Sequence, residues 1–268
     1  MPWYFNPILF NIGPLAVHWY GLMYSLGFLI GYFWLHNSKI AKKMNLSETQ
    51  IDNMLIVIIL GVLLGGRLGY ILFYNLPYYF QNPLKILAVW EGGMSFHGGL
   101  LGVCLGLWIM SKKYKVKLLG MSDAVTAIAP IGLLLGRLGN FINGELYGRI
   151  AGSSALAQKI CLHFPNDPGN CRYPSQLFES FFEGLVLFMI VYFVSKKTKR
   201  TGVVTGIFLI FYGIFRFAIE FTREPDVQIG YILKYFTEGQ ILSLAMVVAG
   251  ALLLFMLKKK GNGPVAKE

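Results

Sequence analysis

The run Gly136-Arg137-Leu138-Gly139-Asn140-Phe141-Ile142-Asn143-Gly144-Glu145-Leu146-Tyr147-Gly148-Arg149 puts two arginines, two asparagines and a carboxylate at the end of the apolar stretch 124–135. Polar groups at that depth in a bilayer are costly and are kept for function. A guanidinium there calls for an anion, and in a membrane the commonest anion is a lipid phosphate, which the planar fork meets with two parallel hydrogen bonds. Arg67, Arg216 and His97 also fall within apolar stretches. An imidazole titrates near neutral pH and can take or give a proton. His97 is the one histidine of four placed to meet the arginines. None of the four has metal-ligand spacing, and no phosphate-cradling loop or serine-nucleophile motif occurs.

The elements that carry these residues follow from composition. The chain has 268 residues, 55% hydrophobic and 14% charged, too apolar for a soluble domain, where about 25% are charged. Seven apolar stretches are near spanning length: 17–35, 53–74, 94–110, 121–139, 176–194, 202–221 and 240–257. Their length predicts helices rather than the alternating strands of a barrel. The expected fold class is an all-α integral membrane protein of seven transmembrane helices forming a single transmembrane domain over 1–268.

The formal net charge of +11 reads as topology. Of the 24 basic residues, 15 lie in four segments: Lys39, Lys42 and Lys43; Lys112 to Lys117; Lys196 to Arg200; and Lys258 to Lys267. By the positive-inside rule the N-terminus is outside and the C-terminus cytoplasmic, so no nucleic-acid partner is expected. The first basic residue, Lys39, follows the first apolar stretch, so no cleavable signal peptide is expected. Two aromatic segments, 1–16 (with Trp3, Tyr4 and Phe5) and 76–90 (with Tyr78, Tyr79 and Trp90), read as interfacial arms, and 140–174 as a small external head of loops. Within that head Cys161 and Cys171 are equally consistent with a disulfide and with two free thiols.

Orientation turns sequence position into depth. Arg67, Arg137 and Arg216 fall in the outer thirds of their spans, with Tyr20, His97, Glu145, Glu179, Glu183 and Glu220 near the same outer level. Each arginine costs about 2.5–3.5 kcal/mol at a helix centre and needs compensation. Internal pairing would supply it, because Arg216 and Glu220 are four apart and Glu179 or Glu145 could neutralise another. The polar stripe Tyr212, Arg216, Glu220, Arg223 favours a polar cavity over packing alone. Glycines at four-residue spacing (Gly61, Gly65, Gly69; Gly98, Gly102, Gly106; Gly132, Gly136) predict that the second, third and fourth spans form a tight centre.

These blocks resemble the bacterial prolipoprotein diacylglyceryl transferases. The resemblance lies in His18-Trp19-Tyr20-Gly21-Leu22-Met23-Tyr24, Gly65-Gly66-Arg67, Gly92-Gly93-Met94-Ser95-Phe96-His97-Gly98-Gly99-Leu100, the run 136–149, Pro174-Ser175-Gln176-Leu177, and Tyr212-Gly213 through Arg216 to Glu220. It implies transfer of a diacylglyceryl group from phosphatidylglycerol to the lipobox cysteine thiol of a preprolipoprotein, forming a thioether and releasing glycerol phosphate. It implies no cofactor, membrane lipid as surroundings, and a multi-pass protein of the bacterial cytoplasmic (inner) membrane with its site toward the outer leaflet. Carried over by motif, the catalytic candidates are His97, Arg137, Arg216, Glu145 and Glu220. Tyr20, Arg67, Asn140, Gly148, Tyr212 and Arg223 are expected to bind substrate. Tyr173 stands where many relatives have histidine. The competing class is a lipid or anion transporter, which intramembrane arginines would also suit, although transporter sites lie near the midplane.

Overall fold

The computed structural model describes residues 5–13, 15–89, 92–224, 231–232 and 236–259. Trp3, Tyr4, Trp90 and the basic residues Lys260 and Lys267 lie outside them. The helices in chain order are α1 (Trp19–Asn37), α2 (Lys39–Lys43), α3 (Glu48–Tyr74), α4 (Leu76–Gln81), α5 (Phe96–Tyr114), α6 (Leu118–Ile142), α7 (Ala155–Ile160), α8 (Ser175–Glu179), α9 (Leu187–Lys197), α10 (Val203–Ile219) and α11 (Glu238–Lys259). A π-helical stretch, Ser180–Val186, joins α8 to α9. Each of the seven apolar stretches is helical. Four helices among the described residues are long and apolar enough to cross a membrane: α3, α6, the continuous Ser175–Lys197 and α11. The other three stretches form α1, α5 and the shorter α10.

The structure is mostly helical, as expected, and three small antiparallel hairpins accompany the helices among the described residues. They pair β1 (Ile8–Ile12) with β2 (Leu15–His18), β3 (Leu162–Phe164) with β4 (Asp167–Arg172), and β5 (Tyr231–Ile232) with β6 (Phe236–Thr237). The first begins in the expected arm 1–16, ends at His18 inside the expected first span and runs into α1; the second falls within the expected head.

The chain forms two compact units, Leu35–Ser122 and the described residues on either side of it. Within Leu35–Ser122, α3 and α5 touch backbone to backbone. A Cβ on Gly65 would lie 2.4 Å from the Gly98 carbonyl oxygen, and one on Gly102 would lie 2.2 Å from that of Gly61. Small residues at this spacing let dispersion act between the helices themselves. Ser47 starts α3 with a capping box: its hydroxyl accepts the Gln50 amide at 3.3 Å while Gln50 Oε1 accepts the Ser47 amide at 3.0 Å.

In the other unit, α6 rests on α1. A Cβ on Gly27 would lie 3.7 Å from Gly132 Cα, Tyr24 lies beside Gly136, and Tyr20 covers Gly139. Gly136 and Gly139 of α6 therefore accommodate the α1 tyrosines. Gly213 and Gly250 bring α10 against α11, where a Cβ on Gly213 would meet the Ser243 oxygen at 2.6 Å. The buried Asp123 caps α10, accepting the Gly202 amide at 2.6 Å and the Thr205 amide and hydroxyl at 2.8 Å each.

The head is tied together by hydrogen bonds and one covalent bond. Cys161 and Cys171 form a disulfide, which settles the alternative left open above. Arg172 pairs with Asp167 and Glu224 and lies over the Tyr147 ring. Hydrogen bonds from Arg172 and then Asn170 hold the Asp167 carboxyl below the ordinary carboxylate range.

Two outcomes follow. Gly102→Val should lower the thermal unfolding midpoint in lipid nanodiscs, since overpacking of this kind costs about 1–3 kcal/mol; a parent-like midpoint would contradict the backbone contact. A depressed carboxyl stabilises the folded state above its unfolded pKa of about 3.9 and loses that contribution as pH falls through the folded value. Hydrogen exchange at the Ala151 and Tyr173 amides, corrected for intrinsic rate, should stay constant from about pH 7 to 5 and rise only below about pH 4. In Asp167→Asn that pH dependence should vanish.

Candidate active site

The centre of the site is a carboxylate on an apolar helix. Glu179 is fully buried at the end of α8 and faces three guanidiniums. Arg137 Nε lies 2.6 Å from Glu179 Oε2, Arg223 Nη1 donates to Oε1 at 2.5 Å, and Arg216 Nη1 stands 3.5 Å from Oε2. A lone buried carboxylate would cost several kcal/mol, and three cations around it offset that cost. Glu183, one turn further on and also fully buried, lies 4.0 Å from Arg216 Nη1.

The π-helical stretch that follows sets how this helix meets α6. Gly184 packs directly on Leu134, where a Cβ would lie 2.6 Å from the Leu134 Cβ. The Ser180 hydroxyl donates to the Leu134 carbonyl at 3.1 Å. Such π insertions are frequent at functional sites. Here the insertion brings Glu179 under Arg137, one turn beyond Leu134.

The far end of α10 supplies the rest. Arg216 Nη2 pairs with Glu220 Oε2 at 3.0 Å, and Arg223 Nε lies 3.4 Å from the same oxygen. The Thr237 hydroxyl donates to Glu220 Oε1 at 2.9 Å. The Glu220 carboxylate lies against Gly239, where an added Cβ would meet it at 2.8–2.9 Å. Tyr212 stands one turn before Arg216 on the same helix face, stacked on Phe208.

A second polar layer runs from Arg137. Its Nη1 reaches Asn140 Oδ1 at 3.5 Å, and Asn140 Nδ2 donates to Glu145 Oε1 at 2.9 Å. Asn143 Nδ2 donates to the same oxygen at 3.2 Å. The buried Gln176 fixes the Glu145 backbone, donating to its carbonyl at 2.7 Å. Tyr20, over Gly139, donates to the Tyr24 hydroxyl at 3.1 Å. Arg137, Arg216, Arg223, Glu220, Tyr212, Asn140, Glu145 and Tyr20 thus belong to one unit, and its charged members form one network.

Exposure within the network is graded. The side chains of Arg137, Arg216 and Arg223 keep 20%, 16% and 13% of their surface, whereas Glu179 and Glu183 keep none. The carboxylates form a sealed floor and the guanidiniums an accessible edge. Arg216 Nη1 is itself buried and faces Glu179 and Glu183 at 3.5 and 4.0 Å. Guanidinium side chains that keep part of their surface exposed can pair with an anion that reaches that side.

Two residues expected at the substrate have structural partners instead of open surroundings. Arg67 is buried, 4% exposed, and spends its donors on carbonyls: Nε on Ile86 at 3.0 Å, Nη1 on Gly92 at 2.5 Å and Gly93 at 3.2 Å, Nη2 on Lys85 at 2.5 Å and Ala88 at 3.0 Å. All five N–H groups are engaged, so Arg67 shapes the 85–93 segment and has no donor left for a phosphate. Gly148 is wedged between two backbones, where a Cβ would lie 2.2 Å from the Thr222 oxygen and 2.9 Å from that of Tyr173. Its lack of a side chain lets these backbones pack together.

His97 stands in the first turn of α5, within Leu35–Ser122, exposed and edge-on to Phe96. The Ser95 hydroxyl caps that turn by accepting the Gly98 amide at 3.2 Å. Among the described residues, no group of three or more His, Cys, Asp or Glu side chains could hold a metal. Sequence reasoning offered Glu179 as a partner that could neutralise an arginine, not as the centre of the network. Thr237 and Gly239, which hold Glu220, were not nominated from sequence.

Fold and site together define a polytopic helical membrane protein with a pre-organised arginine edge over buried carboxylates. The chain belongs to the prolipoprotein diacylglyceryl transferase family, whose model matches residues 7–256. It is 48% identical over 252 residues to the phosphatidylglycerol–prolipoprotein diacylglyceryl transferase of Rickettsia felis, covering 93% of this chain and 95% of the relative. Proteins of the same name from Rickettsia bellii (48% over 254 residues) and Buchnera aphidicola (45% over 271 residues) each match 93% of this chain, covering 94% and 95% of their own lengths.

Arg67→Ala should reduce the amount of folded protein recovered from membranes, because it strands carbonyls that five N–H groups now satisfy. Arg137→Ala leaves Arg216 and Arg223 facing Glu179 and should be recovered at higher levels than Arg67→Ala. Size-exclusion profiles of the two variants in detergent check this, and equal recovery would contradict the scaffold role of Arg67.

Proposed function

We propose that this protein transfers the diacylglyceryl group of phosphatidylglycerol to the thiol of the lipobox cysteine of a preprolipoprotein. The observation that carries the reading is the arginine edge: three guanidiniums anchored beneath by Glu179 and Glu220 and left partly open above. The names of the relatives supply the same lipid and the same acceptor class.

Arg137 and Arg216 hold the lipid phosphate and stabilise the charge that gathers on it as it leaves. The substrate sulfur attacks the terminal glyceryl carbon, the carbon–oxygen bond to phosphate breaks, and a thioether forms. The bonding electrons depart with glycerol phosphate. The guanidinium field favours the thiolate, the reactive form of the incoming cysteine. His97 accepts the thiol proton in this reading. Arg223 and Glu220 keep Arg216 aligned, and Asn140, which Arg137 reaches, orients Glu145 together with Asn143. Tyr20 and Tyr212 line the site.

The protein is a multi-pass membrane protein. We read it as a protein of the bacterial inner membrane with seven spans, the N-terminus outside and the site toward the outer leaflet, where secreted precursors arrive; the distribution of basic segments supports that orientation.

The deciding experiment supplies vesicle-reconstituted protein with phosphatidylglycerol and a lipobox peptide and looks for the peptide thioether by mass spectrometry. Product is expected; lipid translocation with no thioether would favour a transporter instead. Arg137→Ala and Arg216→Ala should each lower kcat/KM by about 10²–10³-fold with protein still in the membrane. Near-parental activity in both would remove the phosphate role. His97→Gln should lose about 10²-fold or more and recover in part at higher pH, where thiol deprotonation needs no acceptor. A loss that pH does not alter would make His97 a positioning residue.

A further inference from the structure

Arg223 is the member of the charged network that helix geometry holds least. It lies beyond Ile219, the last residue of α10, in a turn closed by the Thr222 amide on the Ile219 carbonyl at 2.8 Å and by its own amide on Glu220 at 3.2 Å. Its guanidinium nevertheless reaches Glu179 at 2.5 Å. Lateral support comes from the head. The Arg149 amide donates to the Thr222 carbonyl at 2.9 Å, Gly148 pairs antiparallel with Arg223, and Arg149 Nε donates to the Arg223 carbonyl.

The other edge of segment 148–151 is held by β4 and the residue after it. The Gly148 amide donates to Tyr173 at 2.9 Å, the Tyr173 amide to Arg149 at 3.0 Å, and the Ala151 amide to Cys171 at 2.8 Å. Arg172 adds a hydrogen bond from Nη1 to the Gly148 carbonyl at 3.2 Å and pairs with Glu224, the residue after Arg223. Cys171 lies on β4 itself, covalently joined to the buried Cys161 at the end of α7. An unbroken ladder therefore runs from the disulfide through β4, then 148–151, then 222–223, to the carboxylate under the arginines.

From this connectivity we infer that the Cys161–Cys171 disulfide is a positioning device for Arg223. It fixes the outer strand of the ladder, and through it the register in which Arg223 meets Glu179. The inference rests on the functional reading above for its effect on turnover, because Arg223 matters to transfer only if the arginine edge binds the lipid phosphate. Without the covalent tie the strand holds by hydrogen bonds alone and opens locally more often. Arg223 then samples positions in which Glu179 is left to Arg137 and Arg216.

The test is a double-mutant cycle on the full-length protein in phosphatidylglycerol vesicles, with a freshly reduced lipobox peptide from which the reductant has been removed. The four proteins are the parent, Cys161→Ser with Cys171→Ser, Arg223→Lys, and all three substitutions together. We expect about a tenfold fall in kcat for the serine pair and for Arg223→Lys. The triple variant should be no worse than Arg223→Lys within about twofold, because both changes act through one contact. Losses that multiply to about a hundredfold, or parental activity in the serine pair, would overturn the inference.

Hydrogen exchange supplies a readout independent of activity. The Arg149 amide should exchange at least tenfold faster in the serine pair than in the parent, while the Gly206 amide near the start of α10 is unchanged. The same comparison on folded parent, before and after a dithiol reductant, covers failure of the serine pair to reach the membrane. The disulfide then gains two electrons and two protons and the dithiol becomes a disulfide. An unaltered Arg149 exchange rate in either comparison would overturn the positioning role. A parent that makes no thioether would instead sink the functional reading, leaving the exchange result to decide the structural one.

Discussion

The contact between the buried Glu179 carboxylate and guanidiniums from two other helices and the turn beyond one of them is what the rest of the site depends on. None of these charges would be stable alone at its depth. A buried ion pair is a weak source of net stability, yet breaking one by removing a partner costs about 3–5 kcal/mol, because the other charge is left uncompensated. Glu179 thus makes the presence of the arginines tolerable and fixes their positions at once. Because the carboxylates are sealed and the guanidiniums keep an exposed edge, the pairing does not consume the site. In the proposed reading, a phosphate would meet guanidiniums that Glu179 already holds in place.

The two copies of Gly-Arg-Leu-Gly show how much context decides. Arg137, in the second copy, points its charge at Glu179 and Asn140. Arg67, in the first, closes on five backbone carbonyls and organises the chain between 85 and 93. The flanking glycines also differ in duty. Gly69 meets Gly98 of α5, while Gly139 makes room for the Tyr20 ring. The same four letters therefore build a backbone clamp in one unit and an anion-facing side chain in the other.

Much of this was readable before any coordinates. Each apolar stretch became a helix, since run length and hydrophobicity are local properties that tertiary structure does not override. Arg216 with Glu220 followed from a spacing of four, and the Gly61, Gly65, Gly98 and Gly102 contact from a spacing of four on two helices. The role of Glu179 was less legible. Its partners come from α6, α10 and the turn beyond it, and nothing in local pattern says which of several carboxylates meets which arginine. The structural partners of Arg67 were not legible because they are main-chain oxygens, which every residue type supplies and no motif advertises. Those of Gly148 were hidden for the same reason: what it accommodates is the backbone at Thr222 and Tyr173. The pairing of Cys161 with Cys171 stayed open because a hairpin had to form before the two could meet.

The most direct measurement is an experimental structure of the membrane-embedded protein with phosphatidylglycerol bound. If the arginine edge is the lipid site, the phosphate oxygens will lie about 3 Å from Arg137 and Arg216 nitrogens, with Glu179 still beneath both. A headgroup bound elsewhere, with both guanidiniums still turned wholly to their carboxylates, would contradict it.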